Sequence, residues 1–209
     1  MVQPANWDNF RVETISPLTF YKRNLIHRDL IAAALRRAGG SLLEVGVGSG
    51  AQSALLSRRV ARTVTVDNDH RIMRAALPNL HRFGPRTQTV AGDGFRLPFR
   101  DASFGVGISQ GLMEHFDDAQ IAGLVGEQLR VCRSVVFSIP SDRYPRQDVG
   151  NERLMPPARW AEIVSAAVDT ARYDVRARYY RLDLESLKYS LLAMKRLGSF
   201  SVLVTIDPR

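Results

Sequence analysis

The sequence predicts an α/β fold: a doubly wound, mostly parallel sheet of seven strands with helices on both faces. Three observations lead there. Short apolar runs alternate with amphipathic helical stretches along most of the chain, the pattern of successive strand–helix–strand units. The first apolar run passes straight into three alternating glycines, Gly46, Gly48 and Gly50. The second ends in a carboxylate, Asp67.

Residues 1–16 are polar and aromatic without a period and read as a flap or a short helix. Residues 17–38 read as one helix, because Ile26, Leu30, Ala33 and Ala34 share a face and Gly39-Gly40 ends it. Residues 41–45 form a buried strand, 51–59 a short helix and 63–66 the next strand. Residues 69–80 form a helix with Ile72, Met73, Ala76, Leu77 and Leu80 on one side and Pro78 close to its end. Residues 87–91 and 104–109 are strands. Residues 117–131 are a helix with Ile121, Leu124, Val125 and Leu129 inward, and 134–139 is the fifth strand. Pro140, Pro145, Gly150, Pro156 and Pro157 then predict a long loop over residues 140–157, a length usually tied to function. A helix follows through Trp160, Ile163, Val164 and Ala167, then a strand at 173–180. An amphipathic helix over 184–197 uses Leu184, Leu187, Leu191 and Met194, and a last strand spans 200–206. That strand is expected to run antiparallel and to pair with 173–180 instead of lying at an exposed edge.

At 209 residues the chain fits a single domain, 1–209. Within it, 1–40 reads as an N-terminal helical cap, and 140–157 and 182–197 as insertions on the substrate side. No apolar run approaches the roughly 18 residues a membrane span needs, so no membrane partner is expected. No basic stretch followed by an apolar one opens the chain, so no secretory signal and a cytoplasmic location are expected. Cys132 is the sole cysteine, which excludes an intrachain disulfide and a cysteine-rich zinc site; no metal is expected. The net charge of +8 raises a nucleic-acid reading. Against it, the basic residues are scattered (Arg36, Arg37, Arg58, Arg59, Arg71, Arg74, Arg82, Arg86) and not interleaved with aromatics, as solvated helix faces are.

The chemistry-bearing signal is Leu42-Leu43-Glu44-Val45-Gly46-Val47-Gly48-Ser49-Gly50. Glycines there let the backbone turn sharply and let a ligand lie against it, and the helix that follows offers free N–H groups. In a parallel sheet such a turn lies at the carboxyl ends of the strands, where ligands bind. The G-x-G-x-G spacing departs from the dinucleotide fingerprint G-x-G-x-x-G. Asp67 stands about 20 residues on, where a carboxylate can accept from ribose hydroxyls. Ala91-Gly92-Asp93-Gly94-Phe95 follows the third strand, and Ser109-Gln110-Gly111-Leu112-Met113-Glu114-His115 the fourth.

From about residue 17 onward these motifs resemble the class I S-adenosylmethionine-dependent methyltransferases, whose fold is Rossmann-like. With Asn151-Glu152-Arg153-Leu154 the chain is similar to the type 11-like, small-molecule branch. The resemblance implies S-adenosylmethionine as cofactor and S-adenosylhomocysteine as product. It implies Glu44, Gly46, Gly48 and Gly50 at the donor loop and Asp67, with Asn68, at the ribose. It implies Asp93, Gly94 and Phe95 at adenine, and Ser109 and Gln110 at the methionine part. Tyr21, with Arg23 and His27, lies on the N-terminal helix expected to close over the cofactor. The chain departs from the family at Gly105, where an aspartate is common. His115, with Glu114 second, is the expected acid–base residue, because histidine titrates near neutrality and follows the fourth strand. The expected reaction is O- or N-methylation of a small-molecule partner; acceptor and oligomeric state are not encoded in a readable motif. Three other readings stand beside it. An RNA methyltransferase fits the charge but lacks Asn/Asp-Pro-Pro-aromatic after the fourth strand. A nicotinamide oxidoreductase lacks the glycine spacing and a Tyr-x-x-x-Lys pair. A non-catalytic cofactor-binding protein would keep the fold alone.

Overall fold

The computed structural model describes residues 7, 11–145, 150–180 and 200–209. In chain order the elements are α1 (Pro17–Ile26), α2 (Arg28–Arg37), β1 (Ser41–Val45), α3 (Ala51–Leu56), β2 (Arg62–Asp67), α4 (His70–Phe83), β3 (Thr87–Ala91) and β4 (Phe104–Gln110). A 3-10 turn (Met113–His115), α5 (Asp118–Val131), β5 (Cys132–Pro140), α6 (Pro157–Ala167), β6 (Tyr173–Tyr179) and β7 (Ser201–Pro208) complete it. The sheet has the order β3-β2-β1-β4-β5-β7-β6. β1 to β5 are parallel, and β7 slots antiparallel between β5 and β6, as the sequence predicts.

Both faces are covered, which explains the near-continuous apolar strands. Leu42, Val106, Ile108 and Val136 pack on one face beneath Leu30, Ala33 and Ala34 of α2 and Leu56 of α3. On the other face Val135, Phe137, Ile139, Val202 and Val204 pack against Ile121 and Val125 of α5 and Trp160, Ile163 and Val164 of α6. Neighbouring residues such as Val135 and Val136 thus serve opposite faces, the period of two that a strand imposes. Arg37 grips Asp207 through two hydrogen bonds of 2.6 Å each, tying the end of α2 to β7.

Two expectations about elements need correction. Residues 17–38 are two helices: His27 leaves helical geometry at φ −94°, ψ 22°, and α2 restarts at Arg28. The apolar stripe continues through the break, so periodicity alone reads it as one helix. Pro78 lies inside α4, which runs on to Phe83, and its missing N–H does not stop the helix. Gly105 has a steric reason. A Cβ there would lie 2.0 Å from the Ala38 carbonyl oxygen, so the close pass of β4 under the α2–β1 turn admits no side chain. The 184–197 helix and the 182–197 insertion lie outside the described residues.

Candidate active site

The loop after β1 is shaped by its glycines. Gly46, Gly48 and Gly50 all have positive φ, at 84°, 48° and 73°. At Gly48 a Cβ would meet no atom within 4 Å, so this stretch of backbone is open to a ligand. Gly50 serves packing: a Cβ there would lie 2.7 Å from Leu80 Cδ2.

Asp67, at the end of β2, braces that loop. Its Oδ2 accepts from the Val47 N–H at 3.0 Å and its Oδ1 from the Asp69 N–H at 2.9 Å. Each oxygen keeps a second lone pair for ribose hydroxyls. The α4 N-cap is Asp69, accepting from Arg71 and Ile72 N–H, so Asp67 is not spent on that task. Burial raises the Asp67 pKa, opposed by those backbone donors. Glu44 is almost wholly buried and hydrogen-bonds the Ser53 hydroxyl. Burial pushes its pKa up to about 7, against the pull of the Ser53 hydrogen bonds. After β3, Asp93 Oδ1 accepts from the Phe95 N–H at 2.9 Å, a turn that sets Gly94 and Phe95 beside it.

β4 leaves the sheet at Gly111 (φ 65°), whose N–H donates to the Ser138 carbonyl at 2.9 Å. The 3-10 turn follows and carries Glu114 and His115, both buried. They do not cap α5: that cap is Asp117, in a reciprocal box with Gln120. The Trp7 ring meets His115 edge-on, centroids 4.7 Å apart. Burial lowers the His115 pKa, opposed by Asn151 and by the charge of Glu152.

These parts surround one cavity of about 480 Å³ at the carboxyl ends of the strands. Its lining includes Glu44, Gly46, Gly48, Asp67, Asn68, Asp93, Gly94, Phe95, Gln110, Glu114 and His115. Three candidates are placed elsewhere. Gly50 packs on Leu80, and Ser109 is buried in β4 outside the lining. Tyr21 is 56% exposed on the outer side of α1; Arg23, Ile26 and His27 are the residues that line the cavity there. His27 does not sit on a solvated helix face. The helix break turns it inward, and its Nδ1 is buried without a partner among the described residues. Burial, aided by Arg23, lowers its pKa to about 4. Trp7, Gln52 and Tyr144 also line the cavity and carry no motif that marks them in advance, and Glu152, from the Asn151-Glu152-Arg153-Leu154 motif, lines it too. Among the described residues no cluster of His, Cys, Asp and Glu could hold a metal, and no helix is long and apolar enough to cross a membrane.

This sheet order and this glycine–acid–acid arrangement define the class I methyltransferase fold. Residues 42–134 match the model of a family described as a methyltransferase domain. An uncharacterized methyltransferase of Mycobacterium sp. (strain KMS) is 33% identical over 135 residues, covering 59% of this chain and 50% of that protein. A phosphatidylethanolamine N-methyltransferase of Cereibacter sphaeroides is 31% identical over 121 residues, covering 57% of this chain and 58% of that one. The chain thus spans about half the length of these relatives. Among solved structures, the PH0226 protein of Pyrococcus horikoshii OT3 superposes with a TM-score of 0.67 at 16% identity, over 94% of each chain, a likeness of fold. Over residues 42–134 the chain is thus similar to a methyltransferase domain, and its fold is that of the class I methyltransferases, whose methyl donor is S-adenosylmethionine. The site fits that donor: open backbone at Gly48, a carboxylate with spare lone pairs at Asp67, and an Asp93 turn for the base.

Proposed function

We propose that the protein methylates an oxygen or nitrogen of a small-molecule acceptor, held between the 3-10 turn and the loop after β5. His115 is the base, with Glu114 the second candidate. The supporting observation is the charge of the cavity. Six carboxyl groups (Glu44, Asp67, Asp69, Asp93, Glu114, Glu152) face two guanidinium groups, Arg11 and Arg23, in a chain of net charge +8. Such a lining attracts cations and repels a phosphate backbone. It suits a sulfonium donor with a neutral or cationic acceptor, and it counts against RNA. The name of the Cereibacter relative, an N-methyltransferase, agrees with an amine acceptor.

S-adenosylmethionine, when bound, supplies a methyl group on a positively charged sulfur. Asp67 and Asn68 would hold its ribose, and Asp93, Gly94 and Phe95 its adenine. His115 is kept neutral by burial, ready to take the proton the acceptor loses. Trp7 on the His115 ring, and Glu152 and Tyr144 from the loop after β5, wall the acceptor side and exclude water. The test is incubation with methyl-labelled donor and a fractionated cell extract. Label is expected in the metabolite or lipid pool, and to be lost with Asp67→Ala. Label confined to RNA or protein overturns the reading.

A further inference from the structure

We propose that Asn151 is a positioning residue: it sets the tautomer of His115 so that the ring presents an unprotonated Nε2 to the acceptor. This rests on the reading of His115 as the base.

The geometry starts from one short hydrogen bond. Asn151 Oδ1 lies 2.6 Å from His115 Nδ1. An amide oxygen only accepts, so the proton sits on Nδ1. In a neutral imidazole the other nitrogen then carries the lone pair. That nitrogen, Nε2, makes no hydrogen bond among the described residues, on a ring that lines the cavity.

The loop that carries Asn151 is fastened on both sides of the histidine. The Arg153 N–H donates to the Glu114 carbonyl at 2.8 Å. The Arg153 guanidinium donates to the Phe116 carbonyl at 2.9 Å and to Asp118 at 2.6 Å. On the other flank Gly150, with φ 91°, donates its N–H to the Glu152 carboxylate at 2.9 Å. Residues 150–153 therefore clamp the turn that carries His115, and Asn151 is the member whose side chain reaches the ring. Its buried Nδ2 has no partner among the described residues, so the bond to His115 is what orients the amide.

An amide suits this task better than a carboxylate. It holds the Nδ1 proton while favouring the imidazolium less than a full negative charge at the same place would. Glu152 already exerts that pull, the Trp7 ring against the histidine is uncharged, and burial outweighs both Glu152 and the Asn151 bond. The base stays neutral and correctly oriented. A merely structural asparagine would brace the loop without regard to which ring nitrogen holds the proton.

The experiment needs no acceptor. Long-range ¹⁵N NMR of the histidine-labelled full chain reads which nitrogen of His115 is protonated. The wild type is expected to show Nδ1–H alone. Asn151→Ala should move His115 toward Nε2–H. Asn151→Asp should keep Nδ1–H and raise the His115 titration by roughly 1–2 units. S-adenosylhomocysteine binding and circular dichroism check that each variant folds. An Nε2–H wild type, or a tautomer indifferent to Asn151→Ala, overturns the proposal. Label transfer by His115→Ala is measured alongside. Undiminished transfer overturns the base reading and the catalytic sense of the tautomer, while a tautomer that ignores Asn151 overturns only the part given to Asn151.

Discussion

Gly48 and Gly50 sit two residues apart in one loop, both with positive φ, yet an alanine at each should do different harm. Placing an L-residue in the left-handed region costs about 1–2 kcal/mol. At Gly48 that is the whole structural cost, since the new Cβ meets nothing within 4 Å. At Gly50 the Cβ lies 2.7 Å from Leu80 Cδ2 and 2.9 Å from its Cγ. Leu80 is 2% exposed among Ala54, Ile72, Ala76 and Phe83, so it can yield only by pressing into that cluster. Overpacking of that kind adds about 1–3 kcal/mol. Gly50→Ala should therefore lose about 2–5 kcal/mol and Gly48→Ala about 1–2. Urea unfolding with unchanged m-values measures both. Donor binding should rank the opposite way, because the Gly48 Cβ would project where the ligand lies. Equal destabilisation within about 0.5 kcal/mol, or Gly50→Ala binding S-adenosylhomocysteine worse than Gly48→Ala, refutes the division of roles.

Gly105→Ala should fold poorly or not at all, since its neighbour is the Ala38 backbone; soluble expression with a wild-type melting temperature contradicts the close pass. His27 is lowered from about 6.5 to about 4, so its unfolded form takes up a proton first and stability falls as pH falls through that window. His27→Phe should remove about 2–3 kcal/mol of the acid loss, read from urea midpoints at pH 7 and pH 4. Glu44, raised to about 7, acts with the opposite sign: its contribution is full below about 4.5 and is lost as pH rises to 7, so Glu44→Gln should flatten that limb. The acid limb of turnover should lie below the ordinary histidine range and fall away with His115→Ala, at a cost of roughly 100-fold or more.

The sheet was legible because its signals are local. The residues of β1 and β3 stand where their apolar runs place them, and β7, read as a strand paired with 173–180, lies antiparallel between β5 and β6. The cavity-lining positions Gly46, Gly48, Asp67, Asn68, Asp93 and Gln110 were legible for the same reason: they lie at or just past the ends of strands, where a parallel sheet collects its ligand-facing groups. The acceptor side depends on tertiary placement. The break at His27 leaves the apolar stripe intact, so the sequence shows no boundary, yet the break turns His27 inward while Tyr21 faces solvent. Asn151 meets His115 across 36 residues of chain, and no periodicity encodes that meeting. Gly150 beside Asn151-Glu152-Arg153 was the available hint, a turn residue next to three polar groups in a proline-rich loop.

The central claim is that the cavity over the carboxyl ends of the strands is the S-adenosylmethionine site, with Asp67 at its ribose. Titration calorimetry with S-adenosylhomocysteine tests it most directly. The account predicts one-to-one binding to the wild type, binding weakened by about 1–3 kcal/mol in folded Asp67→Ala, and no measurable binding of NADH. Unchanged affinity in Asp67→Ala, or NADH binding as tightly as S-adenosylhomocysteine, would contradict it.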